Sequence, residues 1–133
     1  MEMITEQVNR PRTRVRDIMS QPEAVVTPAA SVREVRPRVE GARSRTVIVL
    51  DNGRLAGLIS KEECGKARTD SQKQAPVKAF MRTKFPVLHP DDSPRDALRV
   101  MTETDSGVLP VVEEGRLAGV ITRADLLLHI YAF

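Results

Sequence analysis

Residues 45–60, RTVIVLDNGRLAGLIS, return as residues 107–122, GVLPVVEEGRLAGVIT. The match extends upstream, because MSQPEAVVTP at 19–28 is answered by MRTKFPVLHP at 81–90, 62 positions later and with no gap. Pairing residues 15–64 with 77–126 gives 14 identities in 50 positions, among them Val15 with Val77, Met19 with Met81, Pro28 with Pro90 and Ser31 with Ser93. Two copies are too few for a solenoid, so the economical arrangement is a pseudo-twofold pair packed face to face. Any site in such a pair comes in twos.

Each copy reads strand, helix, strand, strand, helix. Short β-runs at 24–26 and 86–88 end at Pro28 and Pro90. Ser31 with Glu34, and Ser93 with Pro94 and Asp96, are helix-start patterns in which a hydroxyl caps the first turn. Pro37 is expected to kink or shorten the first copy's helix. Residues 46–50 and 108–112 are β-branched runs, and Asp51-Asn52-Gly53 and Glu113-Glu114-Gly115 supply the turns of hairpins returning through 55–59 and 117–121. A last helix opens at Ser60 and again at Thr122; the second stays apolar through Leu126, Leu127, Leu128 and Ile130, while the first meets Gly65 and turns polar. The organisation expected is a basic tail at 1–14, copies at 15–66 and 77–133, and a linker at 67–76.

The 133 residues form one domain's worth of chain, and a copy of about 60 residues alone would be marginal, a reason for the halves to share a core. Three Phe, one Tyr and no Trp exclude a core or a nucleic-acid platform built on aromatic stacking. The net charge of +3 is confined to residues 1–70, where 13 Lys/Arg face 10 Asp/Glu. Arg10, Arg12, Arg14 and Arg16 alternate, which in an extended segment puts all four on one side. Cys64 is the only cysteine, so there is no internal disulfide, and the expected compartment is a reducing cytoplasm with Cys64 as a small buried hydrophobe. No apolar run approaches the roughly 20 residues that span a bilayer. One Cys and two His give no nucleophile-base or metal-ligand spacing, and neither GxGxxG nor GxxxxGK[ST] occurs, so no catalytic role and no metal are expected.

The order of elements, the Met-Ser and Met-Arg starts, the Gly-Arg-Leu-Ala-Gly hairpin and the following hydrophobic-Ser/Thr-x-x-acid together resemble the cystathionine-β-synthase (CBS) domain, and the tandem resembles a CBS pair or Bateman module. The resemblance covers residues 15–131 and implies an α/β (α+β) pair with two clefts between the copies. Such pairs commonly bind AMP, ADP, ATP or S-adenosylmethionine, dimerise into a disc, and regulate an attached or associated protein. Carried over position by position, it makes Thr122 and Asp125 the ribose acceptors, with Ser60 and Glu63 their weaker counterparts, since Glu stands where the family has Asp. It points to Val87, Leu88, His89, Val108, Leu109 and Pro110 as the adenine wall, and Arg123, Lys61, Arg43 and Arg45 are placed to meet phosphates. A carboxylate one turn into a helix can accept from both ribose hydroxyls while the helix N-terminus favours phosphate; the same Thr-x-x-Asp is also an ordinary capping box.

The leading expectation is therefore a stand-alone sensor without a required cofactor, a homodimer that signals an adenosine-containing ligand to a separate effector protein. A ligand-free dimerisation or protein-interaction module is the alternative. Nucleic-acid binding through the basic tail is the third reading.

Overall fold

The computed structural model describes residues 13–131. The first copy contains helix α1 (Val15–Ile18), strand β1 (Val25–Val26), helix α2 (Val32–Gly41), strands β2 (Thr46–Asp51) and β3 (Arg54–Ser60) and helix α3 (Lys61–Gly65). Helix α4 (Asp70–Gln74) and a one-turn 3-10 helix (Val77–Ala79) lead into the second copy, which has helix α5 (Pro94–Thr104), strands β4 (Val108–Glu113) and β5 (Arg116–Thr122) and helix α6 (Arg123–Tyr131).

The helix starts follow the local chemistry. Ser31 Oγ accepts from Glu34 N–H at 3.1 Å, Ser93 Oγ accepts from Asp96 N–H at 3.0 Å, and Pro94 occupies the first helical position. Helix α2 runs on through Pro37 to Gly41, so the proline does not end it. At the hairpin tips Asn52 and Gly53 have φ of 53° and 83°, Glu114 and Gly115 53° and 80°, the left-handed pair that a two-residue turn matched to strand twist requires.

The expected strand at 86–88 is reduced to one parallel bridge between Leu88 and Val111. In the first copy the Ile48 N–H donates to Ala24 C=O at 3.2 Å, and the residue corresponding to Ile48 is Pro110. Proline has no N–H to donate, so that rung of the ladder cannot form.

The sheet has the order β1-β2-β3-β5-β4, with β1 parallel to β2 and both hairpins antiparallel. The copies meet edge to edge where Arg54 pairs with Arg116, and Leu55 N–H donates to Gly115 C=O at 3.3 Å while Leu117 N–H donates to Gly53 C=O at 3.1 Å. A core of Ile48, Leu58, Val108 and Val120 lies between them.

The leading segments are exchanged between the copies. Val15, in α1, is fully buried with Leu88, Ala97, Leu109, Val111 and Ile121 of the second copy. Val77, its repeat partner, is buried with Val35, Val47, Val49 and Ile59 of the first. Ser20 and Val120 exchange two backbone hydrogen bonds of 2.9 Å, and Arg82 and Leu58 do the same at 2.8 and 3.0 Å. Helix α1 is docked to the second copy by Val15 N–H on Asp92 C=O at 2.8 Å, Arg16 N–H on Pro90 C=O at 3.0 Å and the Arg16–Asp91 ion pair. The same crossing explains Gly119 and Gly57, whose added Cβ would lie 2.9 Å from Met19 Sδ and 2.6 Å from Met81 Sδ. Met19 and Met81 thus fill gaps in the opposite copy.

The extended arginine strip does not reach Arg16. Arg14 is the N-cap of α1 and Arg16 lies within it, so the period-two alternation is broken there; Arg10 and Arg12 lie outside the described residues. Cys64 is buried in the first core, and burial pushes its thiol pKa up. No helix among the described residues is long and apolar enough to cross a membrane.

Candidate functional site

Strand β5 ends at Thr122 and α6 begins one residue later, so the first turn of that helix carries Asp125 back over the strand end. Thr122 N–H donates to Asp125 Oδ2 at 2.9 Å, and Asp125 N–H donates to Thr122 Oγ1 at 3.1 Å. This is a capping box, and a third bond is added from outside the copy: Ser20 Oγ donates to Oδ2 at 2.9 Å. Both donors to the carboxylate, Thr122 N–H and Ser20 Oγ, use Oδ2. Oδ1 has no partner among the described residues, and Asp125 lines a cleft of ≈ 640 Å³. Pro22, Ala24, Ile48, Val108 and Val120 supply an apolar side to that cleft. The arrangement offers one free carboxylate oxygen, a helix N-terminus and an apolar wall, a set suited to a sugar hydroxyl, an anion and a flat ring respectively.

The corresponding position in the first copy is chemically different. Ser60 N–H and Oγ both donate to Glu63 Oε1, at 2.8 and 2.6 Å, and Arg82 Nε lies 3.9 Å from Oε2. The Glu63 side chain is only 3% exposed, so both oxygens are held within the protein. Arg82 occupies the repeat position of Ser20, which puts a guanidinium beside one carboxylate and a hydroxyl beside the other. Ser60 lines a second cleft of ≈ 730 Å³, whereas Glu63 is not part of its lining.

The cationic residues expected near phosphate divide between the clefts. Arg123 and Arg43 line the Asp125 cleft; Lys61 and Arg45 line the Ser60 cleft. Arg123 is turned to Asp105, with Nη2 3.3 Å from Oδ1, and Arg43 donates its backbone N–H to Glu23 at 2.9 Å. Arg43 therefore sits at the cleft opposite to the one its place in the first copy suggested.

Of the residues expected as the adenine wall, one lies at the clefts. Val108 lines both clefts, but Val87, Leu88, His89, Leu109 and Pro110 line neither. Leu88, Leu109 and Pro110 are buried, Val87 is 48% exposed elsewhere, and His89 faces Asp91 and Glu113 at 3.8 and 3.9 Å. The cause is the exchange of leading segments. The first copy's residues 20–24, together with Thr46 and Ile48 of β2, form the wall opposite Asp125. Ser20, Pro22, Ala24, Thr46 and Ile48 were not identified from the sequence. The one available signal was the Ser20-to-Arg82 difference between otherwise similar Met-x starts.

Among the described residues there is no group of three or more His, Cys, Asp or Glu able to hold a metal ion.

The chain is 33% identical over 130 residues to an A-adding tRNA nucleotidyltransferase of Geobacter sulfurreducens, a match that takes in 97% of this chain and 14% of that enzyme. The chain thus spans about one seventh of that relative's length. Among solved structures, CBSX2 in complex with AMP superposes with a TM-score of 0.77 and 26% identity, covering 90% of this chain and 96% of that one. The cytosolic domain of the Mg2+ channel MgtE in complex with ATP gives 0.66 and 31%, covering 82% and 46%. The sequence profile of the CBS domain matches twice, at residues 15–68 and 77–132. With both matches laid over the two halves of one pseudo-twofold fold, this chain belongs to the CBS-domain family as a tandem pair.

Proposed function

We propose that the Asp125 cleft binds an adenosine-containing ligand, of the class AMP, ADP, ATP or S-adenosylmethionine, and that the pair is a regulatory module, not an enzyme. The observation that carries this reading is the free Asp125 Oδ1 in a cleft whose opposite side is apolar. Ribose hydroxyls donate to Asp125, with Thr122 and Ser20 fixing the carboxylate. The base lies against Ile48, Val108 and Val120. The phosphate faces the first turn of α6, with Arg43 and Arg123 at the rim. The AMP complex of CBSX2 and the ATP complex of MgtE, both above one quarter identical to this chain, support the ligand class.

Because residues 20–24 come from one copy and Asp125 from the other, a bound ligand ties the copies together. It favours whichever arrangement closes the cleft, and a partner protein in the cytoplasm reads that preference. The chain pairs with a second copy of itself through the α5–α6 face, where Leu98 and Leu127 are 45% and 52% exposed. Their repeat counterparts are Arg36 and Gly65, so this apolar face belongs to the second copy alone.

The test is thermal unfolding with AMP, ADP, ATP and S-adenosylmethionine, on the wild type and on Asp125→Ala. A ligand at about 100 times its dissociation constant adds roughly 2.7 kcal/mol to the wild type. The variant keeps its fold and loses that gain. No shift with any of the four, together with a stable dimer, supports instead a ligand-free dimerisation module, for which the exposed leucines are the specific observation.

A further inference from the structure

The Ser60 cleft does not repeat the chemistry of its neighbour. Five cationic side chains line it, Arg45, Lys61, Lys66, Arg68 and Arg82, against the two carboxylates Glu62 and Asp105. The lining thus carries an excess of three cationic side chains over carboxylates. Asp105 is already paired with Arg123 at 3.3 Å, which leaves Glu62 as the one lining carboxylate without an ion pair among the described residues. Arg45, Lys61, Lys66 and Arg68 form no ion pair among the described residues. The Asp125 cleft, by contrast, balances Arg43 and Arg123 with Glu23 and Asp125.

Two further differences remove the nucleoside features. The Ser60 cleft has Val108 as its one large apolar lining residue, so no apolar wall faces a base. Glu63 is closed to a ribose, because it is buried outside the lining with Ser60 on one oxygen and Arg82 beside the other. What is left is a hollow of cations and small hydroxyls: Ser44, Thr46, Ser60 and Ser106 stand between the basic side chains. Arg45 is held at φ 56°, where the second copy has Gly107; a bulky residue kept in that conformation projects a guanidinium where the repeat offers none.

We propose that the Ser60 cleft is a nucleobase-independent site for a phosphate-dense anion, a free chain of linked phosphates that is recognised by Arg45, Lys61, Lys66, Arg68 and Arg82. Clustered cations in a concave surface focus potential toward a multiply charged anion, and charge-assisted hydrogen bonds then fix it. The inference is independent of the nucleotide reading of the Asp125 cleft.

Calorimetric titration of the full chain with sodium tripolyphosphate at low ionic strength tests it. The wild type binds one equivalent. The double variant Lys61→Ala, Arg68→Ala, both exposed positions, binds about 100-fold more weakly, at roughly tenfold per cation removed. Arg95→Ala, an exposed cation outside the cleft, and Asp125→Ala both bind as the wild type does. Unchanged thermal unfolding of the double variant shows that its fold is intact. The proposal is overturned by the absence of binding to the wild type, by equal affinity of the double variant, or by loss of tripolyphosphate binding in Asp125→Ala. It is equally overturned if ATP binds, only through Asp125, while tripolyphosphate does not. That outcome assigns the cations to the tail of a nucleotide seated in the neighbouring cleft.

Discussion

Truncating Val15 tests the exchange of leading segments on which the Asp125 cleft depends. Val15 is 0% exposed and lies among Leu88, Leu109, Val111, Ile121 and Leu126, all of the second copy. Val15→Ala removes two methyl groups, about 1.6 kcal/mol at roughly 0.8 kcal/mol per group. The packed surroundings cannot fully collapse, so the cavity left behind raises the loss to about 2–3 kcal/mol. For a chain of this length, with an unfolding entropy near 2.1 cal/mol/K per residue, the midpoint falls by about 7–10 °C. The more telling measurement is hydrogen exchange. If α1 belongs to the second core, the amides of Leu109, Val111, Ile121 and Leu126 exchange faster in the variant by a larger factor than those of Val47, Val49 and Ile59. Val77→Ala produces the mirror image, because Val77 is buried in the first core. Acceleration by Val15→Ala concentrated in the first copy would refute the exchanged arrangement, as would a midpoint shift under about 1 °C.

Gly119→Ala brings a Cβ to 2.9 Å from Met19 Sδ and 3.0 Å from the Ser20 carbonyl oxygen; the backbone contact cannot yield by side-chain rotation alone. Chemical denaturation should show a loss of about 1–3 kcal/mol, and ligand affinity should fall as Ser20 is pushed from Asp125; an unchanged midpoint and affinity would contradict the close approach. Thr122→Ala combined with Asp125→Ala removes the capping box as well as the carboxylate, so a stability loss of about 1 kcal/mol accompanies the loss of ligand response, both read from thermal melts. For pH, Ser93 N–H donating to Asp96, and Arg16 beside Asp91, hold both carboxyls below the usual range. Their stabilisation is present above the unfolded-state carboxylate pKa, about 3.9, and is lost as pH falls through the lower folded values. The melting midpoint therefore drops on acidification, less steeply in Asp91→Asn, and a midpoint that rises with falling pH contradicts the assignment.

Much of the fold was legible because its signals are local. Ser31, Ser93 and Pro94 start helices wherever the chain takes them, and Asn52-Gly53 and Glu114-Gly115 fold back within two residues. The 62-residue repeat fixed that there would be two such units, and the Thr122–Asp125 pair could be singled out, since a cap and its partner lie three residues apart. The strand expected at 86–88 failed on one atom, the missing N–H of Pro110, whose importance appears only when its rung in the ladder is known.

What tertiary structure alone decided is which copy each leading segment serves. Val15 and Val77 are equally apolar and equally spaced from their own repeats, and burial free energy is non-directional, so nothing in their sequence distinguishes packing at home from packing across. That choice put residues 20–24, and not Val87, Leu88 and His89, along the cleft of Asp125, set Ser20 against Asp125, and set Arg82 against Glu63. Two clefts built at equivalent repeat positions thereby acquired different chemistry, because the residue that completes each one is delivered by the other half of the chain.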